Sequence, residues 1–478
     1  MATTNGNRQI LDLKRWEFCT PAPTSTAAGA MVISSRHFRQ QQMLVRSTTE
    51  ASLYNPSEDG WVTVTSPALA GTLAAGASGT AGAWSTGSTI GAASLTATAG
   101  TTSTITTNQA LARDLRGYKV LIMSGPNNGA VLDIVSNTVG ASAVITVATQ
   151  ASAFTASTTY RLLTPRFYVL GSGTLAAGSF KVHDFATNTW TTLTITGLAA
   201  SLATDGKLIA TPSMVDGDFK NFATGTATGG GATTLDNSAK AWATNQWANF
   251  QIRITAGTGA GQIRSIASNT GTQITVSAAW ATNPDATSQY SLSGNDDFLY
   301  YMGNNAVTLY RYSISANTWT TLSPTAARAA APGAGMSGHW VHSVEAADWN
   351  VENAIINGDR IYSFRGAAGG VLDYYDISTN TWVSGVVYSP NAETFTAGTK
   401  YALHGGRLYI QKDATGRWFA FDFARQELFP WGTTLYPQGA AVVGDTAFDV
   451  VYRDGATEIY YVYFLLNTSQ ILLRQMVI

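Results

Sequence analysis

The stretch "YYDISTNTW", Tyr374 to Trp382, decides how this chain is read, because it comes back. "VHDFATNTWTTL" begins at Val182 and "YRYSISANTWTTL" at Tyr310. Looser versions are "LYNPSEDGWVTV" from Leu53 and "FAFDFARQELFPW" from Phe419. Each runs from an apolar or aromatic strand end through a polar Asn, Ser, Thr or Asp turn to a Trp that opens the next strand. Such turn residues between residues of strand character specify a hairpin. One supersecondary unit is therefore used several times, with Trp61, Trp190, Trp319, Trp382 and Trp431 as its markers.

Each hairpin follows a shorter strand-like run. "RFYVLGSG" precedes "SFKVHDF", "DDFLYYMGN" precedes "TLYRYSI", "DRIYSFRGAAGG" precedes "VLDYYDI" and "GRLYIQKDATG" precedes "RWFAFDF". Alternation of large with small or polar residues in several of them is the period-2 signature of strands. The Trp spacing then exposes insertions. Trp61 to Trp190 spans 129 residues and Trp190 to Trp319 another 129, whereas Trp319 to Trp382 spans 63 and Trp382 to Trp431 spans 49. A repeat unit of roughly 40–50 residues cannot fill the two long intervals.

The inserted segments match each other. "YKVLIMSGPNNGAVLDIVSNT" from Tyr118 and "FQIRITAGTGAGQIRSIASNT" from Phe250 align without gaps. They share Ile122 with Ile254, Gly125 with Gly257, Gly129 with Gly261, Ile134 with Ile266, and Ser136-Asn137-Thr138 with Ser268-Asn269-Thr270. Further on, "VITVATQ" faces "QITVSAA" and Tyr160 faces Tyr290. Residues 96–164 and 226–293 are thus expected to be two copies of one small β-sandwich or barrel, with ends close enough to rejoin the parent unit. The Gly, Ala, Thr and Ser-rich segment 71–117 is expected to hold ordered strands. Residues 37–95, 165–225 and 294–478 carry the repeated unit, and 1–36 is expected to be an N-terminal arm that docks on its own body or on a neighbour.

Composition agrees with this reading. Of 478 residues, 45% are hydrophobic and only 12% charged, about half the usual charged share. Abundant Thr, Val and aromatics favour strands over helices. The formal net charge of −1 argues against a generally basic nucleic-acid surface. Cys19 is the single cysteine, so there is no internal disulfide and no Cys-rich metal site. No apolar run reaches the roughly 18 residues of a membrane span. The first residues lack the apolar core of a signal peptide, from which a cytoplasmic site of synthesis is expected.

Five to six short-stranded units point to an all-β propeller with two inserted modules, because radial repetition leaves each sheet only short edges. The recurring Trp is expected as a wedge between blades. "DRIYSFRGAAGGVLDYYDISTNTW", Asp359 to Trp382, resembles a kelch repeat, and Gly405-Gly406 followed by "RLYI" is similar. Most units lack the kelch diglycine directly after the second strand. The stretch Ala260 to Leu292 resembles β-modules of tailed-bacteriophage virion proteins, and the N-terminal "SSRHFRQQQMLV" has the same look. The overall plan is similar to that of the tail nozzle (tail tubular protein B) family of short-tailed phages. That resemblance implies a propeller with inserted β-domains, a hexameric ring, tail adaptor and fibre proteins as partners, a virion location, and phage DNA passing without sequence-specific binding.

Candidate chemistry is sparse. His339 and His342, three apart, project to opposite faces if they lie on one strand; with Glu345 or Asp348 they are the nearest approach to a metal set. Asp184 and Asp376 recur at one turn position and read as turn formers. "GTGAGQIR" and "GSGTLAAG" lack the Lys-Ser/Thr ending of a phosphate loop and read as turns. Trp242, Trp247 and Trp280 have no aromatic counterparts in the first insert and are candidate partner or glycan contacts. The expected function is a non-enzymatic structural role without cofactor. A fibre-base, capsid decoration or receptor-facing protein that recognises glycans or a receptor through loops or the second insert, and a propeller hydrolase using Glu345 or Asp348, stand as the other readings.

Overall fold

The computed structural model of the chain describes residues 17–23, 31–34, 42–45, 51–56, 58–64, 78–82, 94–211, 214–215, 218–219, 221–341, 360–386, 393–404, 406–412, 417–423, 425–433, 447–454, 457–465 and 472–477. Among them the only helix is one 3-10 turn, Gly366–Ala368, so no helix is long and apolar enough to cross a membrane. Six four-stranded antiparallel sheets form the body. Blade 1 is Met31–Ser34, Gln42–Val45, Ala51–Asn55 and Gly60–Val64. Blade 2 is Ser78–Gly82, Arg166–Leu170, Phe180–Asp184 and Thr189–Thr192. Blade 3 is Lys207–Ala210, Phe298–Met302, Leu309–Ser313 and Thr318–Thr321. Blade 4 is His339–Val341, Arg360–Phe364, Leu372–Asp376 and Thr381–Val386. Blade 5 is Lys400–His404, Arg407–Lys412, Arg417–Asp422 and Glu427–Thr433. In each, the first strand is innermost.

Blade 6 departs from this order. Its inner three strands, Ala447–Asp454, Thr457–Leu465 and Leu472–Val477, come from the C-terminal end, and its outermost strand is Glu17–Phe18. Glu17 pairs with Arg474 and Phe18 with Leu473. The ring is therefore closed by pairing two distant parts of the chain. Glu17–Phe18 thus docks on the chain's own body, as expected of the arm, but the 1–36 boundary is corrected: Met31–Ser34 is the inner strand of blade 1. The inner strands of blades 6, 1, 2, 3 and 4 lie against one another in succession, and that of blade 5 against blade 6. Blades 4 and 5 share one core, in which Phe364 meets Phe421 edge-on at 5.4 Å. The architecture is a six-bladed β-propeller.

The core lies between blades. Tyr168, Leu170, Phe180 and Val182 of blade 2 pack with Leu208, Leu299, Tyr312 and Trp319 of blade 3. Ile209, Tyr300 and Met302 of blade 3 pack with Trp340, Ile361, Tyr375 and Trp382 of blade 4. A sheet covered on both faces buries every residue of its middle strands. Arg166–Leu170 and Phe180–Asp184 are buried throughout, and exposure is concentrated on outer strands such as Thr189–Thr192. Strict period-2 alternation is accordingly absent where the sequence suggested it.

The recurring hairpin now has a mechanical role. In blades 1 to 4 the Trp is the cross-strand partner of Tyr54, His183, Tyr312 and Tyr375, respectively. The ring centroids are 4.8, 5.0, 5.1 and 5.6 Å apart. Two residues before each Trp stands Asp59, Asn188, Asn317 or Asn380, all left-handed with φ of 46–53°. Asn and Asp tolerate this conformation better than other side chains bearing a Cβ. Their side-chain oxygens accept from the Tyr54, Tyr312 and Tyr375 hydroxyls at 2.6, 2.6 and 2.7 Å. Asn188 pairs instead with His183 Nε2 at 3.1 Å.

The same turn grips the backbone that leaves the preceding blade, two residues past its outer strand. Thr20 N donates to Asp59 at 3.0 Å while Trp61 Nε1 donates to Thr20 O at 3.0 Å. Thr194 N donates to Asn317 Oδ1 at 3.2 Å while Trp319 Nε1 donates to Thr194 O at 3.0 Å. Asn380 Nδ2 donates to Ser323 O at 3.0 Å, and Trp382 N to Ala326 O at 2.9 Å. Trp431 is not part of this series. Leu428 opposes Phe421 at the marker position of blade 5, and Trp431 falls in the register shift that follows, its ring tilted against Tyr409 at 4.7 Å. The 49-residue interval thus arose from the wrong landmark.

Replacing Asn317 by Ala orphans the Tyr312 hydroxyl and Thr194 N–H and leaves the left-handed position to a residue that tolerates it less well than Asn. The expected loss is about 2–4 kcal/mol, measured as a lowered urea midpoint. Asn317→Gly keeps the backbone conformation and is expected to lose about half as much; equal losses would show that conformation contributes nothing.

Candidate functional site: a paired barrel platform and its anchors

Antiparallel order places the first-to-second connection and the third-to-fourth turn of blades 1 to 5 at one end of the propeller. Both inserts leave from that end, after the inner strands of blades 2 and 3. The first is a closed six-stranded barrel, in the order Leu95–Gly100, Thr159–Leu163, Lys119–Ser124, Val131–Asn137, Val144–Val147, Thr104–Thr107 and back to the first. The Gly, Ala, Thr and Ser-rich segment thus supplies two barrel strands, Leu95–Gly100 and Thr104–Thr107. The second insert has the same order: Ala223–Thr226, Gln289–Ser293, Gln251–Ala256, Ile263–Asn269, Gln273–Val276, Thr234–Asp236 and Gly229–Gly230. Its first and last strands are two pieces of the one bent strand that closes the first barrel.

The aligned identities have a structural cause. Asn137 Oδ1 accepts from Leu115 N at 2.6 Å and its Nδ2 donates to Arg113 O at 2.9 Å. Asn269 does the same with Trp247 N at 2.7 Å and Ala243 O at 2.9 Å. Each Asn fastens the loop that runs into the long central strand of its barrel, Lys119–Ser124 or Gln251–Ala256. Ladder bulges fall at Ile134/Ser136 and Ile266/Ser268, the same place in both copies.

Each barrel is anchored to a hairpin turn of the propeller. Ala112 N donates to Ala186 O at 2.9 Å, Arg113 Nη2 to Asn188 Oδ1 at 2.8 Å, and the Arg113 guanidinium lies 5.1 Å over Phe185. In the second barrel, Asn249 Nδ2 donates to Ile377 O of blade 4 at 3.2 Å, and Arg311 of blade 3 donates to Asn249 Oδ1 at 2.6 Å. His183 sits beneath the first anchor, fully buried, and that burial pushes its pKa down to about 4 despite hydrogen bonding by Asn188.

The aromatic trio of the second insert does not make a binding face. Trp247 is buried in the barrel core, edge-on to Phe250 at 5.5 Å. Trp280 is buried too, with Nε1 donating to Thr234 O at 3.3 Å and Arg264 5.5 Å over its ring. Only Trp242 is partly exposed, packed against the rim of the same core. The glycan-contact expectation is therefore corrected for Trp247 and Trp280: their bulk fills the barrel and leaves no ring face to offer a sugar.

The acids are held in the framework. Asp184 faces Arg166, Asp376 faces Arg360 and Asp422 faces Arg407 across neighbouring strands, at 3.5, 3.5 and 3.2 Å. Asp184 Oδ1 also accepts from Ala186 N, Asp376 Oδ1 from Thr379 N and Asp422 Oδ1 from Arg425 N, so each closes its own turn. Asp373 is completely buried. It accepts from Arg328 Nε at 2.7 Å, from Arg365 Nε and Nη2 at 2.9 Å each, and from Gly385 N at 3.1 Å. Arg328 in turn lies 4.8 Å over Trp382 and donates to Ser363. Burial alone would raise the Asp373 pKa, but the bonds from Arg365 and Arg328 outweigh it and hold the carboxyl below its ordinary range. His339 is half-buried against Tyr401 at 5.7 Å. His342, Glu345 and Asp348 lie outside the described residues. Among the described residues no three His, Cys, Asp or Glu side chains converge on a metal-sized site.

No protein-family profile matches the chain, and no curated protein matches it. Solved structures give distant likenesses. A lectin of Aleuria aurantia in complex with Fucα1-6GlcNAc aligns over 93% of this chain and 90% of its own, at 9% identity and TM-score 0.39. AofleA of Arthrobotrys oligospora aligns over 97% and 86%, at 10% identity and TM-score 0.39. YCF48 bound to D1 peptide aligns over 97% and 95%, at 8% identity and TM-score 0.30. Alignments this loose carry no argument about what the chain binds.

Two outcomes follow from these contacts. Asp373→Asn leaves two arginines facing a neutral amide, one of them fully buried, and is expected to cost about 3–5 kcal/mol in urea unfolding at neutral pH. Because the folded carboxyl is depressed, its contribution is complete above the ordinary 3.8 and is lost as pH falls through the lower folded value. The gap between wild type and variant should close only in that acid range. Trp247→Ala is expected to destabilise the second barrel by about 3–5 kcal/mol, and Trp242→Ala by under about 1.5 kcal/mol, read by hydrogen exchange of residues 251–276.

Proposed function

We propose that this chain is a non-enzymatic structural protein of a tailed-bacteriophage particle, a tail-nozzle or tail-tube ring component that extends the DNA channel. The observation that carries the reading is the platform. Two copies of one barrel are inserted at the same point of neighbouring blades and bolted to hairpin turns through Arg113 and Asn249. Such a platform widens the contact area of a stiff body without adding chemistry. Six copies form the ring, and tail adaptor and fibre proteins dock on the barrels and turns. The resemblance of Ala260 to Leu292 to virion β-modules supports the particle assignment. Near-neutral charge suits a wall past which DNA slides, since few released counterions mean weak grip. The Asp residues of the repeat support the non-catalytic part of the reading, because each is bound to an Arg and to its own turn.

Native mass spectrometry and electron microscopy of the purified chain, with antibody labelling of particles from the source phage, test this directly. The expected result is a six-fold ring and label at the tail. A monomer that gives no label on any particle but selects saccharides on a glycan array would overturn it in favour of a recognition module.

A further inference from the structure

The two barrels touch each other, and they do so reciprocally. Gly129, at φ 84°, lies so close to the second barrel that a Cβ there would come 2.6 Å from Thr255 O and 3.4 Å from Ala260 Cβ. Gly261, at φ 90°, stands in the same way against the carbonyl of Met123. In the ungapped alignment Gly261 is the counterpart of Gly129, and Thr255 the counterpart of Met123. The glycine of each barrel thus meets the same carbonyl of the other. Asn128 Nδ2 donates to Ala260 O, its own counterpart position, at 3.1 Å. Arg253 Nη1 reaches toward Gly129 O at 3.5 Å. Ile263, the counterpart of Val131, is buried in the cluster on which Met123, Ala130, Val131 and Leu132 pack.

Reciprocity of this kind is the mark of a two-fold contact between like surfaces. The propeller does not impose it. Neighbouring blades are related by rotation about the ring axis, and such a rotation sets equivalent surfaces head to tail. Had the blades fixed the pose, each barrel would sit on the turn of its own blade. The first does, on Phe185 and Ala186 of blade 2, whereas the second is held by Arg311 of its own blade 3 and also by Ile377 in the turn of blade 4. The barrel-to-barrel contact therefore has a pose of its own, to which the anchors adapt. Both glycines are needed because each backbone approaches a carbonyl too closely for any side chain.

We propose that the inserted barrel is a self-pairing module, and that its glycine-turn face is an interaction surface for another copy of the same barrel, which this chain satisfies internally. Freeing one face should let it pair with the same face of a second chain. A two-fold pair of first barrels would bring Asn128 against Asn128, as Asn128 now lies against Ala260.

The test uses the full-length chain carrying Asn128→Cys, compared with and without a substitution that opens the internal pair. Ala260→Trp pushes a large side chain at Gly129; Arg253→Asp is the second, independent opener. Hydrogen exchange of residues 119–137 checks that the first barrel remains folded. The expected result under mild oxidation is an interchain disulfide between the introduced thiols of two chains. It should rise several-fold in the opened chains and stay at background in Asn128→Cys alone. Such a bond requires Cα atoms within about 7 Å, so it reports this contact and not general proximity. Adding Gly129→Trp to an opened chain should abolish it. Absence of the cross-link with both openers would overturn the proposal, as would a cross-link that survives Gly129→Trp.

Discussion

A left-handed residue in the outer hairpin, Asp59, Asn317 or Asn380, holds both its own blade and the chain that leaves the blade before. Its side chain accepts from a buried tyrosine of its own sheet and bonds the departing backbone of the neighbour. The Trp two residues on covers the joint, and in blades 1 and 3 its indole N–H closes the ring of bonds. A propeller has no central core that holds all sheets at once, so its stability is the sum of such joints. Each hydrogen bond contributes on the order of 1 kcal/mol, but a buried group left unsatisfied costs more, which makes the joint intolerant of partial disruption.

The joint also explains how the ring closes. Thr20, after Glu17–Phe18, is held by Asp59 and Trp61 in the way that Thr194 is held by Asn317 and Trp319. The N-terminal strand is thus treated as the outer strand of an ordinary blade. Closure needs no special device, only that Glu17–Phe18 arrive where the last blade lacks a fourth strand.

Some of the charge is built into the frame. A chain with so few ionisable residues places Asp184, Asp376 and Asp422 opposite arginines and buries Asp373 between two more. A buried carboxylate is tolerable only when paired and hydrogen-bonded, and each of these also receives backbone N–H bonds. These groups fix strand ends and turns, where sheets otherwise fray. The platform uses polar groups the same way: Arg113 and Asn249 fasten barrels to turns whose geometry the repeat already guarantees.

The sequence determined what is local and repeated. Hairpin residues specify their own turn, so the unit, its Asp turn formers and four of its five Trp markers were readable, as were two copies of one insert, because Asn137 and Asn269 fasten the same loop in each. Trp431 misled because a register shift lets a bulky residue sit three positions from its expected place, and local pattern does not reveal register. Trp247 and Trp280 misled because an aromatic ring fills a barrel as well as it binds a sugar, and only packing decides which. The closure by Glu17–Phe18, the Arg328–Asp373–Arg365 cluster and the reciprocal barrel contact join residues far apart in the chain. Those depended on which surfaces the assembled ring brings together, a matter of three-dimensional placement that neighbouring residues do not encode.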